Sequence, residues 1–172
     1  RGGFPAKNHT QKTEASSTIP CDRERVFATF FPHQQIAAVA LTLDGKPAWK
    51  RSVAPFNPRR YEYGYAPSPL IYGETVIIAS EYDGNSFLTA LDRKTGRPVW
   101  QTPRPNNITF SSPVVATVAG KDQLLISGSE KVASYDPSTG KPLWETPGTT
   151  AATCGTMVWD GDVVYASGGY PK

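Results

Sequence analysis

The chain has 172 residues, 38% apolar, 11% aromatic and 19% charged, with 15 Gly and 16 Pro. That size holds one domain, or about one and a half, and the Gly and Pro content suits many short strands joined by turns. A formal charge of +3 is too small and too dispersed to imply nucleic acid, and no run of about 20 apolar residues offers a transmembrane helix.

Residues 1–15 show no strand alternation, and Gly2-Gly3 and Pro5 mark them as a linker entering the first unit. Arg1 opens no charged-then-apolar leader, so an export signal is expected to be absent or removed. The first unit, 16–51, offers four strands: Thr18–Cys21, Val26–Phe30, Ile36–Leu41 and Ala48–Arg51. The second, 68–102, has Pro69–Tyr72, a turn at Gly73-Glu74, Val76–Ala79, a loop over Glu81–Asn85, then Phe87–Leu91 and a return strand from Pro98. The third, 112–146, has Val114–Val118, Leu124–Ser127, a loop at Ser129–Lys131 and again two outer strands. A partial fourth, 155–172, has Met157–Trp159, a turn at Asp160-Gly161 and Val163–Ala166.

One stretch recurs in each complete unit. Ala90–Trp100 reads Ala-Leu-Asp-Arg-Lys-Thr-Gly-Arg-Pro-Val-Trp, Ser134–Trp144 reads Ser-Tyr-Asp-Pro-Ser-Thr-Gly-Lys-Pro-Leu-Trp, and Ala40–Trp49 is a version one residue shorter. Its tryptophans recur after 51 and 44 residues, a period that signals a repeat architecture. Each copy reads as a strand, an Asp-anchored turn with a glycine free to take positive φ, and an antiparallel return strand. A tryptophan supplied once per unit is too large for one small sheet, so Trp49, Trp100 and Trp144 are expected to dock between neighbouring sheets. Four short strands per repeat of about 45 residues describe one blade of a β-propeller. The fold expected is therefore all-β: about three and a half four-stranded antiparallel blades of a larger ring. The missing blades come from the same polypeptide or a partner, and the open flanks at Ile19, Val26 and Val163–Ala166 invite association with another chain.

Ala90–Trp100 resembles the tryptophan-docking repeat of the pyrroloquinoline-quinone (PQQ) propeller superfamily, whose pattern is Ala-x-Asp-x-x-Thr-Gly-x-x-x-Trp. All five fixed positions match: Ala90, Asp92, Thr95, Gly96 and Trp100. The third unit matches with Ser134 for Ala, and the first departs at Thr42, where the pattern has Asp. The resemblance covers about residues 16–170 and implies the fold rather than an activity. The superfamily contains quinoprotein dehydrogenases carrying PQQ with calcium. It also contains cofactor-free propellers, such as the propeller lipoprotein of the outer-membrane barrel-assembly machinery, and bacterial repeat proteins of unknown role. The dehydrogenases are marked by adjacent cysteines, and no Cys-Cys pair occurs here. The resemblance thus implies a non-catalytic, extracytoplasmic scaffold of a bacterial cell envelope with a protein partner and no cofactor. The alternative it implies is a segment of a PQQ-dependent dehydrogenase, which would bring PQQ and calcium.

The remaining residues narrow the chemistry. Cys21 and Cys154 lack metal-site spacing and are expected as free thiols, and His9 and His33 lie in loop-like sequence with no triad partner. GxSxG, HExxH, GxGxxG and P-loop patterns do not occur. In a meander the connections between blades share a face with the loops joining second and third strands. That face would carry 55–65, 81–85, 105–107 and 129–131. The first connection is the longer one and holds Arg59, Arg60, Tyr61, Tyr63 and Tyr65, a composition enriched in binding hot spots. Arg59, Arg60, Tyr61, Tyr63, Glu81, Asp83, Asn85, Asn106 and Asn107 are the candidate ligand or partner residues. The plainer reading is a long connection whose tyrosines cover the inner strands.

Overall fold

A computed structural model describes residues 17–61 and 63–168. The expected linker over 1–15 lies outside these residues. Thirteen strands form four antiparallel sheets in chain order. The first sheet is β1 (Arg25–Phe30), β2 (Gln35–Thr42) and β3 (Pro47–Pro55). The second is β4 (Leu70–Tyr72), β5 (Thr75–Ser80), β6 (Phe87–Asp92) and β7 (Pro98–Pro103). The third is β8 (Val114–Val118), β9 (Lys121–Gly128), β10 (Lys131–Tyr135) and β11 (Pro142–Pro147). The fourth pairs β12 (Val158–Asp160) with β13 (Val163–Tyr165).

The central strands are apolar almost without a break because both of their faces are covered. Period-two alternation then assigns each face to a neighbour. In β5, Val76 and Ile78 pack toward the first sheet with Phe27, Ile36 and Ala38, while Ile77 and Ala79 pack toward the third with Leu124 and Ile126. In β9 the split repeats, with Leu125 turned toward Met157 and Val164 of the fourth unit. Three apolar layers therefore separate four sheets stacked face to face, the arrangement of successive propeller blades.

The first blade departs from the expected four strands. Thr18–Cys21 pairs as a strand only through an isolated bridge between Cys21 and Val26, made by the Phe27 N–H to the Pro20 carbonyl at 2.9 Å and the Asp22 N–H to the Arg25 carbonyl at 3.0 Å. Pro20 has no N–H to give a ladder, and the turn that follows needs a positive φ of 75° at Arg23, so regular pairing stops after one rung. Cys21 and Cys154 are both free and exposed, as expected.

Two features recur from blade to blade. Each return strand carries a β-bulge: Ala40 faces Trp49 while Leu41 faces Pro47, Ala90 faces Trp100 while Leu91 faces Pro98, and Ser134 faces Trp144 while Tyr135 faces Pro142. The extra residues are Ala48, Val99 and Leu143, each between the motif's proline and tryptophan. The bulge re-aims the tryptophan, and the Ala or Ser opposite it is small enough to let the ring lean across. At the inner side the Thr18 N–H donates to Ser68 Oγ at 2.8 Å, and the Ser68 N–H donates to Ser112 Oγ at 2.9 Å. This belt steps from one blade to the next.

Candidate functional site

The repeated motif builds the joint between blades. Asp92 Oδ1 accepts from the Thr95 hydroxyl and N–H (2.7 Å each) and from the Lys94 N–H (3.1 Å), and the Gly96 N–H closes onto the Asp92 carbonyl at 2.7 Å. The Thr95 hydroxyl bond, helped by those two N–H groups, holds the Asp92 carboxyl below the usual range against slight desolvation. Asp136 repeats the pattern with the N–H groups of Ser138 and Thr139. Thr42 replaces Asp in the first blade, and its hydroxyl accepts the Lys46 N–H at 3.2 Å.

The tryptophan of one blade lies on the turn glycine of the next. A Cβ on Gly96, at φ +70°, would come within 2.8 Å of the Trp49 ring, and one on Gly140, at φ +71°, within 2.5 Å of the Trp100 ring. Trp49 Nε1 donates to the Arg93 carbonyl at 2.9 Å, and Trp100 Nε1 to the Pro137 carbonyl at 3.2 Å. Two residues after each tryptophan, Arg51 Nε and Thr102 Oγ1 donate to the carbonyls of Gly96 and Gly140 at 2.9 and 2.6 Å. Trp144 is 38% exposed, and among the described residues no turn glycine lies under its ring. Its Nε1 donates instead to Gln123 Oε1 of its own blade at 2.7 Å, an acceptor shared with the Ser134 hydroxyl.

On the side of the candidate face, the first connection meets the loop of the second blade. Both carboxylate oxygens of Asp83 accept the Arg59 N–H, at 3.0 and 3.1 Å, which fastens the long first connection to the loop of the second blade. The Arg59 and Arg60 side chains are exposed, as are Asn85 and Asn106. Tyr61 and Tyr63 are half-buried and stacked, with centroids 6.4 Å apart, and Tyr63 leans on Phe110 at 5.9 Å. Asn107 is partly turned inward, its side-chain oxygen accepting the Ile108 N–H at 3.0 Å. Tyr65 is buried, its hydroxyl donating to the Ala79 carbonyl at 2.8 Å. Tyr65 thus covers the core, as the plainer reading expects, while Arg59 and Arg60 face outward.

Glu81 does not belong to the open face. It is 1% exposed and paired with Arg104, 5% exposed, whose Nη1 donates to the Tyr135 hydroxyl at 2.8 Å. Burial pushes the Glu81 carboxyl up, with Arg104 opposing. Burial also works against the Arg104 charge, but the nearby Glu81 carboxylate outweighs it. This cluster joins the second blade to the third. Nothing in the repeat announces it, because the first connection has Val53 four residues after its tryptophan where the second has Arg104.

The family described as outer membrane protein assembly factor BamB matches residues 7–171 of the chain. The chain belongs to this family. It is a PQQ-like propeller-repeat chain by sequence and by fold. No curated protein sequence matches it. Among solved structures it is similar to BamB from Moraxella catarrhalis, with 19% identity, a TM-score of 0.55, and coverage of 77% of this chain and 36% of that one. It is also similar to a quinohemoprotein alcohol dehydrogenase from Comamonas testosteroni, at 14% identity, TM-score 0.54, and coverage of 81% and 29%. A europium-containing methanol dehydrogenase is similar at 17% identity, TM-score 0.52, and coverage of 73% and 23%. The chain therefore spans about a third or less of each of these structures, and the likeness carries the fold.

Scaffold and dehydrogenase share that fold, so the donor set has to speak for itself. Among the described residues no three His, Cys, Asp or Glu side chains converge as a metal ligand set, and the buried carboxylate, Glu81, is engaged by Arg104. No helix among the described residues is long and apolar enough to cross a membrane.

Proposed function

We propose that the chain is a non-catalytic propeller-repeat scaffold of a bacterial cell envelope that binds a protein partner through its loop face and needs no cofactor. The observation that carries this reading is the clasp of the Arg59 N–H by both Asp83 oxygens. It holds a long connection in one shape and so presents Arg59 and Arg60 at the loop of Asp83 without the ordering cost of a free loop. Membership of a family described as an outer membrane protein assembly factor supports an extracytoplasmic setting and a role in assembly.

The test places a photoreactive side chain at Asn85 and, as control, at Lys141 beside a turn glycine. Both forms are incubated with solubilised bacterial envelope. A discrete adduct from Asn85 that disappears with Arg59→Glu/Arg60→Glu, and is absent from Lys141, is the expected result. Equal or no labelling at the two positions would remove the face from consideration. The likeness to the two dehydrogenase structures sets the second arm. Adding PQQ and calcium is expected to give neither cofactor absorbance nor dye-linked alcohol oxidation, and a clear positive would replace the scaffold with the dehydrogenase reading.

A further inference from the structure

The outer strand of each of the first three blades is bracketed by proline. β3 runs from Pro47 to Pro55, β7 from Pro98 to Pro103 and β11 from Pro142 to Pro147. Each of these strands lies at the end of its sheet with one strand neighbour, so its other side is an open rim. All six prolines are exposed, so packing does not account for them. An open strand edge is a template for pairing with another chain, and proline is one of the residues that blunt it.

The backbone shows which way the closing prolines point. The N–H of the residue after each one turns inward: Phe56 donates to the Gln34 carbonyl at 2.8 Å, Arg104 to the Ser86 carbonyl at 2.9 Å, and Gly148 to the Glu130 carbonyl at 3.2 Å. Successive N–H groups of a strand point to opposite sides. Positions 55, 103 and 147 therefore face the rim, and there proline has no donor to offer. At the other end the bulge between proline and tryptophan breaks the ladder. Between these two interruptions Gln101 in β7 and Glu145 in β11 keep a regular outward N–H. β3 is longer, at nine residues, and carries the exposed Lys50 midway. We infer that the proline brackets close the propeller rim to one class of partner, an extended β-prone segment of another polypeptide. A strand added there would find too few donors in register to hold it. This property of the rim is independent of what the loop face binds.

The test restores the donors by combining Pro55→Thr, Pro103→Thr and Pro147→Thr in the 172-residue chain. Amide hydrogen exchange followed by NMR reads Gln101 and Glu145, and sedimentation velocity reads association, each over a range of concentrations. In the parent these two amides should exchange freely at every concentration. In the variant they should slow at least about tenfold as concentration rises, together with a larger sedimentation coefficient. Association through any other surface leaves the two amides untouched, so they separate the rim from it. A folded variant whose amides stay as free as the parent's overturns the proposal, since the prolines would then only be tolerated at an edge. Concentration-dependent protection in the parent overturns it too, because the rim would already be open. Far-UV circular dichroism checks folding, and if the triple variant does not fold, Pro103→Thr alone decides through Gln101.

Discussion

Trp144 Nε1 and Gln123 Oε1 meet at 2.7 Å within one blade, while the indoles of Trp49 and Trp100 reach across to the next. The two crossing indoles each lie on the turn glycine of the next blade, Gly96 and Gly140. Trp100→Ala should lower the unfolding free energy by about 3 kcal/mol, the low end for a large aromatic because the ring is only half-buried. Trp144→Ala should cost less than about 1 kcal/mol, since its ring is 38% exposed and its indole N–H stays within its own blade. Urea titrations of the two variants give the comparison, and equal midpoint shifts would show that the joint does not hold the blades.

The glycines allow the same comparison from the other side of the joint. Gly45 is exposed with open space where a Cβ would go, and Gly140 lies under Trp100, both at positive φ. Gly45→Ala carries only the cost of a left-handed alanine, about 1–2 kcal/mol. Gly140→Ala adds a clash with the ring, for a total of about 2–5 kcal/mol. Thermal unfolding should rank Gly140→Ala clearly below Gly45→Ala.

The buried ion pair between Glu81 and Arg104 is incompletely satisfied, since Glu81 Oε2 and Arg104 Nη2 have no protein hydrogen-bond partner. Removing one member strands the other charge, so Glu81→Leu and Arg104→Leu should each cost about 3–5 kcal/mol. The double variant should be more stable than either single one, because neither charge is then left behind. A double variant as unstable as the sum of the two would mean that the residues act independently.

Acid should loosen the turn that Asp92 anchors. The hydrogen bonds from Thr95 and Lys94 depress the folded-state pKa of Asp92, so its contribution is fully present above the unfolded value of about 3.9 and is lost as pH falls through the lower folded value. Asp92→Asn should therefore lower the melting temperature at neutral pH and flatten its fall below about pH 4. A wild-type and variant pair with parallel acid limbs would separate Asp92 from that behaviour.

These comparisons also show where the sequence is informative. The blades, the turn chemistry and the docking residues are legible because they recur, and each recurrence carries the same physical demand: an Asp to anchor the turn, a glycine to pass under a ring, a tryptophan to cover it. The bulge at Val99 is legible in the same way, as the spacer between Pro98 and Trp100. What repeats is readable, and what occurs once is hidden. Glu81 sits in a polar loop segment that reads as exposed, yet Arg104 and Tyr135 draw it into the layer between blades. Trp144 closes a motif that departs from the pattern only at Ser134, yet its exposure depends on residues outside the motif. The missing first strand had a local signal in Pro20, whose lack of an N–H outweighs the apolar pattern around it.

The belt and the indole joints address main-chain atoms: carbonyls of Arg93, Pro137, Gly96 and Gly140, and N–H groups of Thr18 and Ser68. Contacts of that kind ask of the neighbour only a serine hydroxyl at the inner strand and a glycine without a Cβ at the turn. A blade duplicated in tandem arrives with both halves of its joint already encoded, ready to engage the blade before it and the blade after. Such a chain can grow or shrink by whole units, and its surface loops can diversify independently, without any interface having to be invented anew.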